Sequence, residues 1–164
     1  MGRWRPARPA SSAYITPQGH RRLQTELKQL WIKRREVVAA ITAAAAEGDR
    51  SENAEYIYRK KQLRGMDGRI RYLQKRLDVV EVVREQPPQR DRVFFGAIVT
   101  LENSAGDRSR YRIVGADEID SARGWISVDS PVARALLGRS LDEDVRIDTP
   151  AGTRQLIVVD IEFP

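Results

Sequence analysis

Gly48-Asp49-Arg50-Ser51 interrupts two apolar seams of nearly equal length. Before it stand Leu23, Leu27, Leu30, Val37, Ile41 and Ala44, with Arg34 in the one place the pattern leaves open. After it stand Tyr56, Leu63, Met66, Ile70, Leu73, Leu77 and Val80, with Arg59 at the intervening position. Steps of four and three residues return a side chain to one helix face, and alternating them makes the seam of a coiled coil. If the chain folds back at Gly48, Ile41 comes to lie near Arg59, Val37 near Leu63, Leu30 near Ile70 and Leu23 near Leu77. This mirror match predicts an antiparallel helical hairpin, each arm roughly 31 residues and about 46 Å long at ~1.5 Å per residue.

Outward from the seams, Thr16-Pro17 predicts the start of the first helix, a hydroxyl cap followed by proline at the first helical position. Glu85-Gln86-Pro87-Pro88-Gln89 is expected to end the second helix and begin a linker. Beyond it the period shortens to that of strands, at Ala97–Leu101, Ser109–Val114, Trp125–Val128, Asp144–Asp148 and Arg154–Phe163. Asn103-Ser104-Ala105-Gly106 and Thr149-Pro150-Ala151-Gly152 are the turns between neighbouring strands. Val132–Leu137 reads as one short helix after Ser130-Pro131. The fold class is α+β, divided into a basic tail without structure (1–13), a coiled-coil hairpin (14–85) with an acidic tip at 48–55, a linker (86–92) and a strand-rich domain (93–164). Trp125, Ile126, Leu136, Ile147 and Ile157 are expected in the core of that last domain.

Charge divides along the same line. Residues 1–90 hold 20 Lys and Arg against 10 Asp and Glu, whereas residues 91–164 hold 9 against 13. A basic half beside an acidic one points to a polyanionic partner for the first alone, against a plain alternative of well-solvated helices. The absence of cysteine excludes disulfides, thiol nucleophiles and cysteine-ligated zinc, and fits a cytoplasmic protein. The single histidine, His20, excludes most histidine-based metal sites. No apolar run approaches the ~20 residues that span a bilayer.

Chemistry concentrates at the tip. Asp49 and Glu52 admit two readings. Their spacing imitates a capping box at a helix start, and acidic residues in a first turn suit the helix dipole. Alternatively they supply part of an oxygen shell for Mg²⁺, which takes one or two carboxylates and completes its octahedron from waters and phosphates. Spacing alone favours the cap. Arg59, Lys60, Lys61 and Arg64 form a basic cluster just behind the tip. Gly65 and Gly68 lie off the seam and should each cost the helix about 1 kcal/mol relative to alanine, with no reason for them visible in the sequence. The carboxylates at Asp117-Glu118 and Asp142-Glu143-Asp144 sit in expected loops and need no chemical role.

Gly48-Asp49-Arg50-Ser51-Glu52-Asn53, with Tyr56-Ile57-Tyr58 and Lys60-Lys61, resembles the signature loop of the Gre transcript-cleavage factors, in the variant of the GreB branch. Tyr14-Ile15-Thr16-Pro17, Val93-Phe94-Phe95-Gly96-Ala97, Arg112-Ile113-Val114-Gly115 and the run from Asp129 to Gly138 extend the likeness over residues 14 to 164. The resemblance implies an N-terminal coiled coil, a C-terminal FKBP-like domain and bacterial RNA polymerase as partner. It implies that Asp49 and Glu52 share a Mg²⁺ with the polymerase active site, and that Arg59, Lys60, Lys61 and Arg64 hold the nascent RNA 3′ end. The factor would then be a non-enzymatic, monomeric, cytoplasmic accessory that stimulates the polymerase to cleave backtracked RNA. Glu47 departs from the pattern by adding a carboxylate. Three rival readings remain: a channel-binding inhibitor that does not stimulate cleavage, an FKBP-like isomerase or chaperone, and a stand-alone RNA-binding hairpin.

Overall fold

The computed structural model describes residues 9–48 and 53–164. These residues separate into two compact units, which are described individually: His20–Val80, and the described residues up to Gly19 together with Glu81–Pro164.

The first unit is the hairpin. Helix α1 runs Pro17–Ala46 and α2 runs Ala54–Val79. Every described position of the two apolar seams is buried or half-buried, with Leu23, Val37, Ala44, Met66, Ile70 and Leu73 fully enclosed. Three polar ties cross between the arms in antiparallel order. Arg69 grips Glu26 with two nitrogens at 2.6 and 3.0 Å, Arg34 Nε meets Asp67 at 2.7 Å, and Asn53 Nδ2 donates to the Ala44 carbonyl at 2.8 Å. Arg34 thus occupies a seam position without burying an unpaired charge, and the Asp67 carboxylate raises its pKa above the ordinary arginine value.

Asn53 does two things at once. Its Oδ1 accepts from the Tyr56 amide at 3.1 Å, capping α2, while its Nδ2 holds the last turn of α1. Asn53→Ala should therefore cost about 0.5–2 kcal/mol for the cap, plus the lost tie. Asn53→Ser keeps a cap acceptor and loses the donor to Ala44 without setting a charge against that carbonyl. Thermal unfolding should rank wild type above Ser and Ser above Ala; an unchanged midpoint in the alanine variant would rule out this clasp.

The second unit is built on a five-stranded sheet in the order β5-β4-β3-β7-β6. Its strands are β3 (Ile98–Glu102), β4 (Arg108–Val114), β5 (Trp125–Ser127), β6 (Asp144–Thr149) and β7 (Gly152–Glu162). All neighbours are antiparallel except β4 and β5. Helix α3 (Pro131–Leu136), capped by Ser130 at the Ala133 amide, sends Ala133 and Leu136 into the sheet core. The core comprises Val93, Val99, Leu101, Ile113, Val145, Ile147, Leu156 and Val158 among others. The strands and helix lie within a residue or two of their expected positions.

Five expectations need correction. Ile157 is 43% exposed rather than in the core. Thr100 pairs with Asp160 and Leu101 with Val158, so Val159 is a bulged extra residue. Inward positions are Leu156 and Val158 before the bulge and Ile161 and Phe163 after it, a switch that an unbroken apolar run conceals. Ile126 packs against the core as expected, whereas Trp125 is half-buried, with the guanidinium groups of Arg112 and Arg123 at 5.0 and 5.2 Å from its ring.

The second helix stops at Val79, short of the prolines, because the chain turns to strand. Strand β2 (Glu81–Val82) pairs in parallel with β1 (Tyr14–Ile15), and Val80, Val82 and Val83 are β-branched residues that suit it. The ribbon places residues 14, 15 and 81–85 with the sheet unit and not with the hairpin. Nor does a free tail extend to residue 13. The Ser12 amide donates to Asp129 at 2.8 Å and the Ala13 carbonyl accepts from Glu81 at 2.7 Å. The rest of that expectation, residues 1–8, lies outside the described residues.

Finally, Glu118 is not an idle loop carboxylate. It is 1% exposed and accepts from the amides of Thr16 at 3.0 Å and Gly115 at 2.8 Å, and from the Thr16 hydroxyl. The same hydroxyl oxygen accepts from the Gly19 amide at 3.1 Å, which is the cap expected of Thr16 at the start of α1. A Cβ at Gly19 would overlap the Glu118 side chain and one at Gly115 the Tyr14 carbonyl, so both positions require glycine for close approach.

Candidate functional site

The candidate site is the end of the hairpin. Asp49 and Glu52, the two acids expected to work there, lie outside the described residues, as do Arg50 and Ser51. The residues on either side are placed. Glu47 and Gly48 are exposed after the end of α1, and α2 begins at Ala54 behind its cap, Asn53. The cap of α2 is Asn53, and the capping-box reading of Asp49 and Glu52 lies outside the described residues.

Glu55 is the acid of the first turn of α2. Its carboxylate is held by Arg59 Nε at 2.8 Å, one helical turn on. Among the described residues no group of three or more acidic, histidine or cysteine side chains could hold a metal ion. Asp49 and Glu52 are not among those residues.

The four cations of the basic cluster are not equivalent. Arg59 is a seam residue, tied to Glu55, to Gln62 Oε1 at 3.1 Å and to the face of Tyr58 at 5.7 Å. Lys60 sits over the Tyr56 ring at 5.8 Å. Lys61 and Arg64 are exposed and make no ion pair or hydrogen bond with a described residue, so they are the cations most available to a polyanion. Lys33, on the other arm, joins them. Together with Leu30, Tyr58, Lys61, Gln62, Gly65 and Met66 it lines a groove of about 510 Å³ on the hairpin flank. Sequence reasoning missed Lys33 because its charge belongs to a different helix. The antiparallel register, which sets residue 33 opposite residue 67, was the signal that would have brought it within two helical turns of Lys61 and Arg64.

No helix among the described residues is long and apolar enough to cross a membrane. The family description "Transcription elongation factor, N-terminal" matches residues 13–82, and "Transcription elongation factor, GreA/GreB, C-term" matches residues 87–163. The chain is 55% identical to the transcription elongation factor GreB of Xanthomonas axonopodis pv. citri over 99% of this chain and 98% of that one. It is 54% identical to the GreB of Pseudomonas aeruginosa, over 100% and 98%. Among solved structures, it is similar to the GreA factor homolog 1 of Thermus thermophilus, at 24% identity, 91% and 97% coverage and a TM-score of 0.43. A GreA/GreB factor from Nitrosomonas europaea aligns at 19% identity over 92% and 98%, with a TM-score of 0.43.

Proposed function

The chain belongs to the GreA/GreB family of transcription elongation factors, and we propose that it acts by placing Asp49 and Glu52 at the active site of RNA polymerase to stimulate cleavage of backtracked RNA. The observation that carries this reading is the Asn53 cap. With Asn53 accepting the Tyr56 amide at the start of α2, that bond does not call on Asp49 or Glu52, and acids not needed for it are candidates for chemistry. Two carboxylates make only a fraction of a Mg²⁺ shell, which suits a site completed by a second protein. A magnesium ion shared there would polarise the scissile phosphate and stabilise the leaving oxygen. The hairpin supplies a rigid carrier, because its seam is closed by its own two arms and calls for no further helix. On this reading the protein is a monomer and has no nuclease activity of its own. It works where polymerase does, in the bacterial cytoplasm.

The exposed cations behind the tip would hold the RNA 3′ segment extruded by backtracking. Reversing Lys60, Lys61 and Arg64 to glutamate should weaken rescue most in deeply backtracked complexes, where more RNA is extruded. It should also flatten the salt dependence, since each single-strand phosphate contact contributes about 0.7 to the slope. An equal loss on short and long extruded RNA would point instead to damage to the helix or to channel entry. Arg59 is left out of this set because its guanidinium already serves Glu55, Gln62 and Tyr58.

The defining experiment is cleavage of a stalled, backtracked elongation complex with and without the protein. Stimulated release of a 3′ RNA fragment supports the proposal. Inhibited elongation without cleavage would replace it with the channel-blocking alternative.

A further inference from the structure

Gly65 occupies the interior of α2, where glycine costs about a kilocalorie per mole against alanine. Nothing lies within 4 Å of where its Cβ would stand. The space it leaves open belongs to the flank groove of about 510 Å³, within the roughly 300–1,000 Å³ typical of small-molecule sites. Leu30 and the buried Met66 contribute apolar lining, and Tyr58, 60% exposed, contributes an aromatic ring. Lys33 and Lys61 bring positive charge from both arms, each without an ion pair or hydrogen bond to a described residue. Gln62 has its Oε1 engaged by Arg59, which leaves its amide N–H groups as donors.

We infer that this groove receives a single base of single-stranded RNA, stacked on Tyr58 and laid over Gly65, with the adjoining phosphates held by Lys33 and Lys61. Base–aromatic stacking beside a basic track is the general physics of single-strand binding, and it tolerates any base because each has a π face. An acidic peptide would use the two lysines but gain nothing from the aromatic ring or the open strip at Gly65. This inference rests on the proposed RNA role of the hairpin and refines it: a bound nucleotide here would fix the extruded strand at one point and leave the tip acids free.

The test is equilibrium binding of the full-length protein to a fluorescently labelled oligouridylate and to an abasic strand of equal length and charge. Wild type should bind the base-bearing strand at least about fivefold more tightly, and Tyr58→Ala should lose roughly five- to a hundredfold of that affinity. Gly65→Leu is the decisive variant, since it should raise the thermal midpoint yet weaken binding about tenfold by filling the groove. Gly68→Ala, which also replaces a helical glycine but does not line the groove, should raise the midpoint and leave binding unchanged. Equal affinity for the two strands, or unchanged binding by Gly65→Leu, overturns the base site. If the Lys60, Lys61 and Arg64 reversal still weakens binding in that case, the RNA role stands and only the groove falls. If it does not, or if wild type binds neither strand, both fall.

Discussion

Asp49→Ala or Glu52→Ala should lower stimulated cleavage by roughly a hundredfold or more, the scale on which removal of one preorganised electrostatic group acts, while thermal stability changes little. Polymerase affinity should also hold, because two small side chains at a tip contribute little of a docking surface. The structure sharpens this contrast. Had Asp49 capped α2, its loss would have cost about 0.5–2 kcal/mol and activity would have fallen with the fold. With Asn53 as the cap, the two effects separate: Asn53→Ala should move the thermal midpoint and the acid variants should move only the cleavage rate. The measurements are cleavage of a backtracked complex across Mg²⁺ concentrations, competition for polymerase, and thermal unfolding of the free protein. Both acid variants cutting at near wild-type rate would end the shared-metal proposal. Rescue of Asp49→Ala by high Mg²⁺ would support it, since a weakened partial shell can be compensated by mass action.

The parts legible in the sequence are those governed by local periodicity. The two seams could be read residue by residue because a hairpin that buries one stripe per helix must repeat every three or four positions. The strands of the second unit followed from alternation and turn residues, and β3 to β7 fall close to where these put them. What escaped depends on distant residues meeting. The β1–β2 ribbon joins positions 14–15 to 81–82, and two residues of strand have no period to detect. The bulge at Val159 reverses the inward face of β7 within an unbroken apolar run, which is why Ile157 was misplaced.

At the candidate site the same division holds. The acids and cations could be found from their clustering in sequence, but which cations are free could not. The seam sets Arg59 apart, but Lys60 looks no different from Lys61 and Arg64 in a string of letters. Only the fold shows that Arg59 is spent on Glu55 and Gln62 and that Lys60 lies on Tyr56. Gly65 lines the flank groove, which no periodicity in the sequence announces.

Glu118→Ala should be the most destabilising single change outside the apolar core, at about 3–5 kcal/mol, a large fraction of the ~5–15 kcal/mol that holds a domain folded. Deleting the carboxylate strands two amides, of Thr16 and Gly115, and the Thr16 hydroxyl. Each buried donor left unsatisfied costs about 1–3 kcal/mol. The Thr16 hydroxyl also receives the Gly19 amide, so the first turn of α1 loses the orientation of its cap as well. Arg112 adds a charge effect. Burial lowers its pKa, and the nearby Glu118 charge opposes that shift, so losing the carboxylate leaves a half-buried guanidinium without its counter-charge. Alanine cannot relax into the space cheaply, because Gly19 and Gly115 have already brought two stretches of backbone against the carboxylate. Glu118→Gln is the informative companion. It keeps the shape and an acceptor oxygen for the two amides but turns the other acceptor into a donor. The Thr16 hydroxyl must then accept instead of donating and the charge facing Arg112 is lost, so it should fall between wild type and alanine. Chemical denaturation of the three proteins, with the denaturant slope checked to be constant, measures the ranking. A glutamine variant as stable as wild type would mean that shape alone matters, and an alanine variant within about 1 kcal/mol of wild type would mean that solvent satisfies the stranded donors.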